Sequence, residues 1–280
     1  MQKLVVILLL ILCIAHDADA QENIWADTDV KKQVELIPFL ADVDDSPAVI
    51  VCPGGSYFWH DMEAEGLLVG EWLKANGISA FVLRYRVAGV PAFITHDRLL
   101  FRGNRYPDAQ DDLLQAMRYV RHYHSRYKIN PANIGVMGFS AGGHLAMSSA
   151  SYFPKDEQPR FIVPVYPVVT MHTPYVHKRS RRALLGDSRT RNKELRDRLS
   201  LEDNIPAYCP PVLIVNCIDD PIVDYHNSVL LDSALTVRGI QHKYLQYTTG
   251  GHGFGASHTK GSSECREWKK EFINWFRKLK

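Results

Sequence analysis

Cysteine is scarce in this chain and follows no metal-binding or redox spacing. Five cysteines occur in 280 residues, and Cys13 lies in the apolar N-terminal segment. No Cys-x-x-Cys pair is present, and no set of histidines and cysteines has the spacing of zinc ligands, which argues against a zinc site. The others, Cys52, Cys209, Cys217 and Cys265, are too dispersed for a dense disulfide framework. Their positions are compatible with buried thiols or with disulfides in any of the possible pairings.

An excess of charge is also missing, since the net charge is +2 at pH 7. Such a value gives no reason to expect a nucleic acid or an anionic membrane as partner. The one strongly basic stretch, residues 177–198, is typical of a solvated helix face. Linkers rich in Pro, Gly or Ser, internal repeats and low-complexity tracts are absent as well, so we expect residues 21–280 to form one domain.

Long apolar runs are absent except at the N-terminus. There, Lys3 precedes the run LVVILLLILCIA, which is too short to cross a bilayer comfortably as a membrane anchor. The small residues Ala18 and Ala20 suit cleavage by signal peptidase before Gln21. We therefore predict that residues 1–20 are a signal peptide and that the protein is secreted or periplasmic, without a membrane segment after cleavage.

From about residue 33 onward, strand-like and helix-like segments alternate. Continuous apolar runs such as residues 47–52 and 211–217 are typical of strands buried on both faces. Segments with helical spacing, among them residues 67–77 and 106–128, lie between such strands. This alternation predicts an α/β fold with a mostly parallel central sheet and helices on both faces. Residues 168–206 interrupt the pattern and are predicted to form a small cap over the sheet edge.

The pentapeptide GFSAG, residues 138–142, lies where a predicted strand passes into a predicted helix. Ligands of open parallel sheets bind at this carboxyl edge. A tight turn here strains the backbone of Ser140 and exposes its hydroxyl, whereas side chains at Gly138 and Gly142 would collide with the neighbouring elements. The amide of Ala141 is expected to face the same space from the helix N-terminus. A turn selected only for tightness needs no serine, so Ser140 is a candidate nucleophile.

A nucleophilic serine needs a base, and the base needs a third group that orients it. One later strand is followed directly by Asp219 and Asp220, and the next strand by His252 in a glycine-rich loop. The order serine, acid, histidine is typical of such sheets. Either aspartate fits the position of the acid, and Asp219 can instead cap the following helix. His144, the competing histidine beside Ser140, is expected to have a structural role in the helix.

Negative charge on an attacked carbonyl oxygen needs hydrogen-bond donors. The loop VCPGGSY, residues 51–57, follows the central apolar strand, and its glycines allow backbone amides to turn toward a bound carbonyl. Together with the amide of Ala141, this loop is predicted to form an oxyanion hole. Tyr57 and Trp59 follow the glycines and are candidates for stacking on a sugar ring, although aromatic side chains here are equally compatible with the core.

Six segments of the chain resemble one known group of proteins, the α/β-hydrolase fold esterases related to the acetylxylan and feruloyl esterases of polysaccharide-degrading bacteria. The segments are VIVCPGGSY, FVLRYRV, YPDAQDDLLQAMRYVR, IGVMGFSAGGHLA, PPVLIVNCIDDPIVDYHNSVLL and GGHGFG, and the resemblance runs from about residue 33 to the C-terminus.

The resemblance implies a role for each matching residue. Ser140 matches the nucleophile of the group and His252 its base. Asp220 rather than Asp219 matches the acid, because it stands three residues before Val223 and eight before Ser228. The residues that match the oxyanion hole are Gly55, Ser56 and Ala141. Ser56 is a departure, since the group usually has a third glycine at this position.

The resemblance and the predicted export together imply a serine esterase that removes acetyl or other small acyl groups from xylan or related polysaccharides, without a metal or cofactor. Residues 89–105 and 168–206 are expected to line the acyl and sugar sites. A peptidase of the prolyl-oligopeptidase type would need a large gating domain, for which 280 residues leave no room. A general short-chain carboxylesterase is a further alternative, and a lipase would need an apolar lid segment. A non-catalytic binding protein with this fold would usually lack a member of the triad.

Overall fold

The computed structural model describes residues 21–26, 28, 32–95, 103–172 and 174–279. The predicted signal peptide, residues 1–20, lies outside the described residues. An eight-stranded sheet forms the centre of the fold. Its strands are β1 (Glu22–Asn23), β2 (Glu35–Phe39), β3 (Ser46–Cys52), β4 (Ser79–Arg84), β5 (Ile129–Phe139), β6 (Ile162–Val165), β7 (Val212–Cys217) and β8 (His242–Tyr247).

The strands lie in the order β1-β2-β4-β3-β5-β6-β7-β8. Strand β2 is antiparallel to both β1 and β4, and the six strands from β4 to β8 in this order run parallel. The predicted mostly parallel sheet is therefore confirmed. In the register of β3 with β5, Cys52 stands opposite Gly138. This register places the glycine loop after β3 directly beside the turn that carries Ser140.

Helices cover both faces of the sheet. Alternate residues of β3 belong to different hydrophobic clusters, Ala48 and Ile50 to one and Val49 and Val51 to the other. The helices are α1 (Leu68–Ala75), α2 (Gly89–Thr95), α3 (Asp108–His122), α4 (His124–Tyr127), α5 (Ala141–Tyr152), α6 (Lys178–Leu185), α7 (Lys193–Leu199), α8 (His226–Val237), α9 (Ser263–Arg266) and α10 (Trp268–Phe276). Residues of α3, α5 and α8 pack in the first cluster, and residues of α1 and α10 pack in the second.

Some predicted element boundaries differ from those of the structure. The predicted helix 106–128 is divided into α3 and α4 because Tyr123, at φ −94° and ψ 19°, leaves the helical conformation between them. Lys128 then ends α4 in a left-handed conformation, at φ 53°. Residues 63–67, of which only residue 67 is predicted to be helical, form a turn of π-helix before α1. None of the helices in the described ranges is both long and apolar enough to cross a membrane.

The basic stretch 177–198 forms part of the cap, and its interpretation as a solvated face is wrong for helix α6. The guanidinium of Arg182 lies over the rings of Phe58 and Phe93, 5.0 Å and 5.4 Å from their centroids. Arg181 donates a hydrogen bond to the carbonyl oxygen of Met171. Long arginine side chains can bury their stems and still satisfy their charge, so Arg182 fastens the cap to the segments that carry Phe58 and Phe93, whereas Arg181 forms a contact within the cap.

Candidate active site

Ser140 has a strained backbone, as the sequence predicts. Its φ of 54° and ψ of −120° lie outside the usual regions for a residue with a side chain. A Cβ atom on Gly138 would lie 2.0 Å from the carbonyl oxygen of Gly142, and a Cβ on Gly142 would lie 2.1 Å from that of Cys52. Both glycines are therefore required by close backbone contacts between β3, β5 and α5. The turn holds Ser140 at the carboxyl edge of the sheet.

The side chains of Ser140, His252 and Asp220 form one hydrogen-bonded chain. Ser140 Oγ lies 2.8 Å from His252 Nε2, and His252 Nδ1 lies 2.6 Å from Asp220 Oδ2. Because a carboxylate only accepts hydrogen bonds, Nδ1 carries the proton and Nε2 can accept the proton of Ser140. The imidazole is 12% exposed and the carboxylate 1%. The arrangement can therefore take up the hydroxyl proton and stabilise the resulting imidazolium.

The two neighbouring aspartates have different contacts. Asp220 Oδ1 accepts hydrogen bonds from the amides of Ile222 and Val223, at 2.8 Å and 3.0 Å, which fixes the orientation of the carboxylate toward the histidine. Asp219 accepts hydrogen bonds from the amides of Gly250 and Gly251, at 3.2 Å and 2.8 Å. Asp219 thus holds the loop that carries the histidine, whereas Asp220 contacts the histidine itself.

His144 has the structural role that the sequence predicts. Its Nε2 donates to the carbonyl oxygen of Leu199 and its Nδ1 accepts from the hydroxyl of Tyr57, both at 2.9 Å. The side chain is fully buried. Burial lowers the pKa of His144 to about 4, so the imidazole is neutral near pH 7.

The predicted oxyanion residues lie beside Ser140. Gly55 and Ser56 line the same pocket as Ser140, and Ala141 begins helix α5 directly after it. Gly55 has φ 131° and Ser56 φ 57°, so the chain passes through left-handed conformations where a glycine is favoured. No backbone acceptor among the described residues is bonded to the amides of Gly55, Ser56 and Ala141. These amides are available to a bound oxygen atom.

Of the two aromatic candidates for sugar stacking, only Trp59 is accessible. Tyr57 is 2% exposed and its hydroxyl is bonded to His144, so its ring has no face free for a ligand and belongs to the core. Trp59 is 37% exposed and lines the pocket beside Ser140. The guanidinium of Arg179 lies 5.6 Å from the centroid of the Trp59 ring.

The pocket beside Ser140 has a volume of about 170 Å³. Its lining residues are Gly55, Ser56, Trp59, Asp61, Glu65, Ser140, Arg179, Ile222, His252 and Gly253. Arg179, from the predicted lining segment 168–206, donates from Nε to the hydroxyl of Ser56 at 3.0 Å. Of the other predicted lining segment, residues 96–102 lie outside the described residues. No group of three or more His, Cys, Asp or Glu side chains in the described part of the chain is arranged to hold a metal ion.

Sequence reasoning missed Asp61, Glu65 and Ile222 as residues of this pocket, and it included Arg179 only as one residue of the segment 168–206. The sequence gives only a weak indication that Glu65 belongs to the site, namely that this acidic residue follows the glycine loop closely. Arg179 lies in a run of basic residues, and nothing in the sequence indicates which of them lines the pocket.

Comparison with known proteins agrees with this architecture. The family model BD-FAE matches residues 40–235. The chain belongs to the BD-FAE family. An acetylxylan esterase of Xylanibacter ruminicola is 29% identical over 257 residues, which are 91% of this chain and 50% of the relative. An endo-1,4-beta-xylanase B of Butyrivibrio fibrisolvens is 30% identical over 251 residues, 83% of this chain and 37% of the relative. The chain thus spans at most half the length of either relative.

One solved structure is similar over nearly its entire length. The acetyl ester-xyloside bifunctional hydrolase of Caldicellulosiruptor lactoaceticus superposes with a TM-score of 0.81 at 30% identity, covering 92% of this chain and 96% of that one. With this match, the predicted α/β-hydrolase fold is confirmed. Within the BD-FAE family, the carboxyl-edge pocket is the natural candidate for the reaction centre.

Proposed function

We propose that this BD-FAE protein is a serine esterase that removes acetyl or other small acyl groups from xylan or related oligosaccharides. The observation that carries the proposal is the hydrogen-bonded chain from Ser140 through His252 to Asp220, next to amides without a backbone partner. The names of the relatives, an acetylxylan esterase and an acetyl ester-xyloside hydrolase, support the choice of acylated carbohydrate as substrate.

The geometry supports a two-step acyl transfer. Ser140 Oγ attacks the ester carbonyl carbon while His252 Nε2 takes the hydroxyl proton, and the negative Asp220 stabilises the imidazolium. The carbonyl oxygen becomes an oxyanion, which the amides of Gly55, Ser56 and Ala141 stabilise. Collapse of this intermediate expels the alcohol, which receives the proton from the imidazolium. Water then attacks the acyl-serine with the histidine again as base, and the carboxylic acid and free serine are released.

The dimensions of the pocket favour a small acyl group. Pockets for drug-sized ligands usually have about 300 Å³ or more, whereas this one has about 170 Å³. An acetyl group fits such a volume. The exposed ring of Trp59 at the pocket supports binding of the sugar by stacking. The intact contact between Ser140 and His252 makes a non-catalytic binding protein the weaker alternative.

A substrate panel tests this function. Acetylated xylo-oligosaccharides, feruloylated sugars, nitrophenyl acetate and an aminoacyl amide are incubated with the wild type and with Ser140→Ala, and acid release is measured. We expect turnover of the acetyl esters to exceed that of the others and to fall about 10⁴-fold or more in Ser140→Ala, with the fold retained by circular dichroism. Undiminished turnover in Ser140→Ala would rule out the nucleophile, and preference for the amide would favour a peptidase.

The proposal includes export, with residues 1–20 as a signal peptide and residues 21–280 as the catalytic domain. Intact mass measurement of the protein from the periplasm or medium of an expression host tests this. A mature chain that begins at Gln21 is the expected result, and a retained N-terminal segment in a membrane fraction would contradict it.

A further inference from the structure

Glu65 is a buried carboxylate next to the nucleophile turn. It is 2% exposed and lies in the π-helical turn Glu63–Leu67. Oε2 accepts a hydrogen bond of 2.7 Å from the amide of Gly54, the residue before the proposed oxyanion donors. Oε1 accepts a hydrogen bond of 2.8 Å from the hydroxyl of Tyr166. No cation among the described residues forms a salt bridge with Glu65. Burying an unpaired carboxylate costs free energy, and single π-turns occur frequently at functional sites.

Tyr166 extends this contact to the loop that carries His252. The Tyr166 hydroxyl donates to Glu65 and accepts a hydrogen bond of 2.9 Å from the amide of Gly255. Its ring lies against the imidazole of His252, with 4.5 Å between ring centroids. The backbone of Tyr166 has a φ of 37°, an unfavourable value for an aromatic residue. A strained residue is thus used to link the carboxylate to the histidine loop.

Two glycines beside the π-turn of Glu65, Gly54 and Gly255, have no room for a side chain. A Cβ atom on Gly54 would lie 2.5 Å from Glu65 Oε2 and 2.8 Å from Ser140 Cβ. A Cβ on Gly255 would lie 2.0 Å from the carbonyl oxygen of Ala64. The same oxygen accepts a hydrogen bond from the amide of Ala256. A shift of the Glu65 carboxylate would therefore displace the glycine loop and the histidine loop relative to Ser140.

We propose that Glu65 is a positioning residue for the ester hydrolysis, one that acts through Gly54 and Tyr166 on the oxyanion hole and on His252. The inference rests on the proposed function. The carboxylate sets the distance between the two loops, and its negative charge adds to that of Asp220 when His252 takes the proton of Ser140. Glu65 lines the same pocket as Ser140, and its two oxygens are bonded to Gly54 and Tyr166.

The electrostatic surroundings agree with this role. Burial raises the pKa of Glu65 to about 7, and the charge of His252 is the strongest influence in the opposite direction, followed by the hydrogen bond from Tyr166. Asp61 raises the same pKa and the amide of Gly54 lowers it. The other titratable or charged groups that face His252 from the packed elements are Asp220, His177 and Arg179. Protonation of His252 and ionisation of Glu65 therefore favour one another.

The test compares Glu65→Gln with the wild type in kcat, KM and the pH profile of kcat/KM for a nitrophenyl acetate substrate. In the wild type, the Gly54 amide and the Tyr166 hydroxyl each donate a hydrogen bond to a carboxylate oxygen of Glu65. In Glu65→Gln, one of these two donors faces an NH₂ group instead and loses its acceptor. We expect kcat to fall about ten- to a hundredfold with little change in KM, because the donors move relative to the oxyanion. We also expect the acid limb of the profile to move to lower pH, since the imidazolium loses the negative charge of ionised Glu65.

Asp112→Asn is the matched control. Asp112 is also fully buried, but it is bonded to Arg86 and Trp25, away from the pocket. This variant is expected to lose stability without a shift of the pH profile. Tyr166→Phe keeps the ring but removes the hydrogen bonds of the hydroxyl to Glu65 and Gly255, so it should lower kcat.

The outcomes separate this inference from the function itself. If the wild type hydrolyses no ester, the proposed function fails. NMR titration of the His252 imidazole in the wild type and in Glu65→Gln then still shows whether the charge of Glu65 affects His252. A wild-type kcat and pH profile in folded Glu65→Gln would overturn the inference while leaving the esterase intact. If Glu65→Gln does not fold, an unchanged kcat in Tyr166→Phe overturns it.

Discussion

The guanidinium of Arg179 is hydrogen-bonded to the hydroxyl of Ser56 at 3.0 Å, so the cap holds a residue of the proposed oxyanion loop. Ser56 has a φ of 57°, which costs about 1 kcal/mol or more for a residue other than glycine. A hydrogen bond to a charged donor contributes about 1.5 to 3 kcal/mol and can offset this strain. Ser56 is thus matched by an arginine from helix α6.

Arg179→Ala should reduce kcat/KM for acetyl esters about tenfold, because the side chain that anchors Ser56 and covers Trp59 is lost. Steady-state kinetics measure the effect. Lys178→Ala, an exposed neighbour in the same helix, is the control and should retain the wild-type value. Restored activity in the double variant Arg179→Ala, Ser56→Gly would support relief of strain. Equal kinetics for Arg179→Ala and Lys178→Ala would contradict the proposed contact.

Gly142→Ala should lower the free energy of unfolding by about 2 to 3 kcal/mol, because overpacking against rigid backbone cannot relax. The added Cβ would lie 2.1 Å from the carbonyl oxygen of Cys52 and 2.5 Å from that of Pro53. Urea denaturation measures the change. Gly66→Ala is the control, since its nearest contact is a side-chain methyl of Val82 at 3.1 Å, and a smaller loss is expected. Equal losses would show that backbone crowding does not determine the effect.

The fold and the central side chains could be predicted because each leaves a local pattern. Continuous apolar runs mark the parallel strands, and such strands place the residues that follow them at one edge. Ser140, Asp220 and His252 each follow a strand, so topology alone brings them near each other. The tight turn at Ser140 already requires residues without a side chain at Gly138 and Gly142. Strand order leaves Asp219 and Asp220 as equal candidates, and the family resemblance is needed to choose Asp220.

The other residues of the pocket depend on tertiary packing that no local pattern reports. Glu65 is buried only because a π-turn rotates it toward Gly54, and neither residue indicates that turn in the sequence. Arg179 is one of many basic residues in its segment, and its partner Ser56 is far away along the chain. Tyr57 was an ambiguous aromatic residue until the position of His144 explained its burial.

Trp59→Ala should raise KM for acetylated xylo-oligosaccharides about fivefold and change KM for nitrophenyl acetate little, because only the oligosaccharide would stack on the exposed ring. Initial rates with both substrates measure this difference. Tyr208→Ala is a matched control, since Tyr208 is 43% exposed and also lies under a cation, Lys155. Its kinetics should not change. A proportional loss with both substrates in Trp59→Ala would instead indicate a disturbed oxyanion loop.

His144 should make the protein less stable in mild acid. Burial lowers its pKa to about 4 from an ordinary value near 6.5, so the unfolded chain binds more protons between these pH values. The free energy of unfolding therefore falls as the pH falls through this window, and the contribution of His144 at pH 5 is about 2 kcal/mol. Urea denaturation at pH 7.5 and pH 5 measures the fall in the wild type and in His144→Asn. Because burial also lowers the pKa of His60 and His177, the variant should lose only part of the dependence. His122→Asn, at an exposed position, should keep the whole pH dependence of the wild type. The same pH dependence in His144→Asn as in the wild type would show that His144 does not contribute to it.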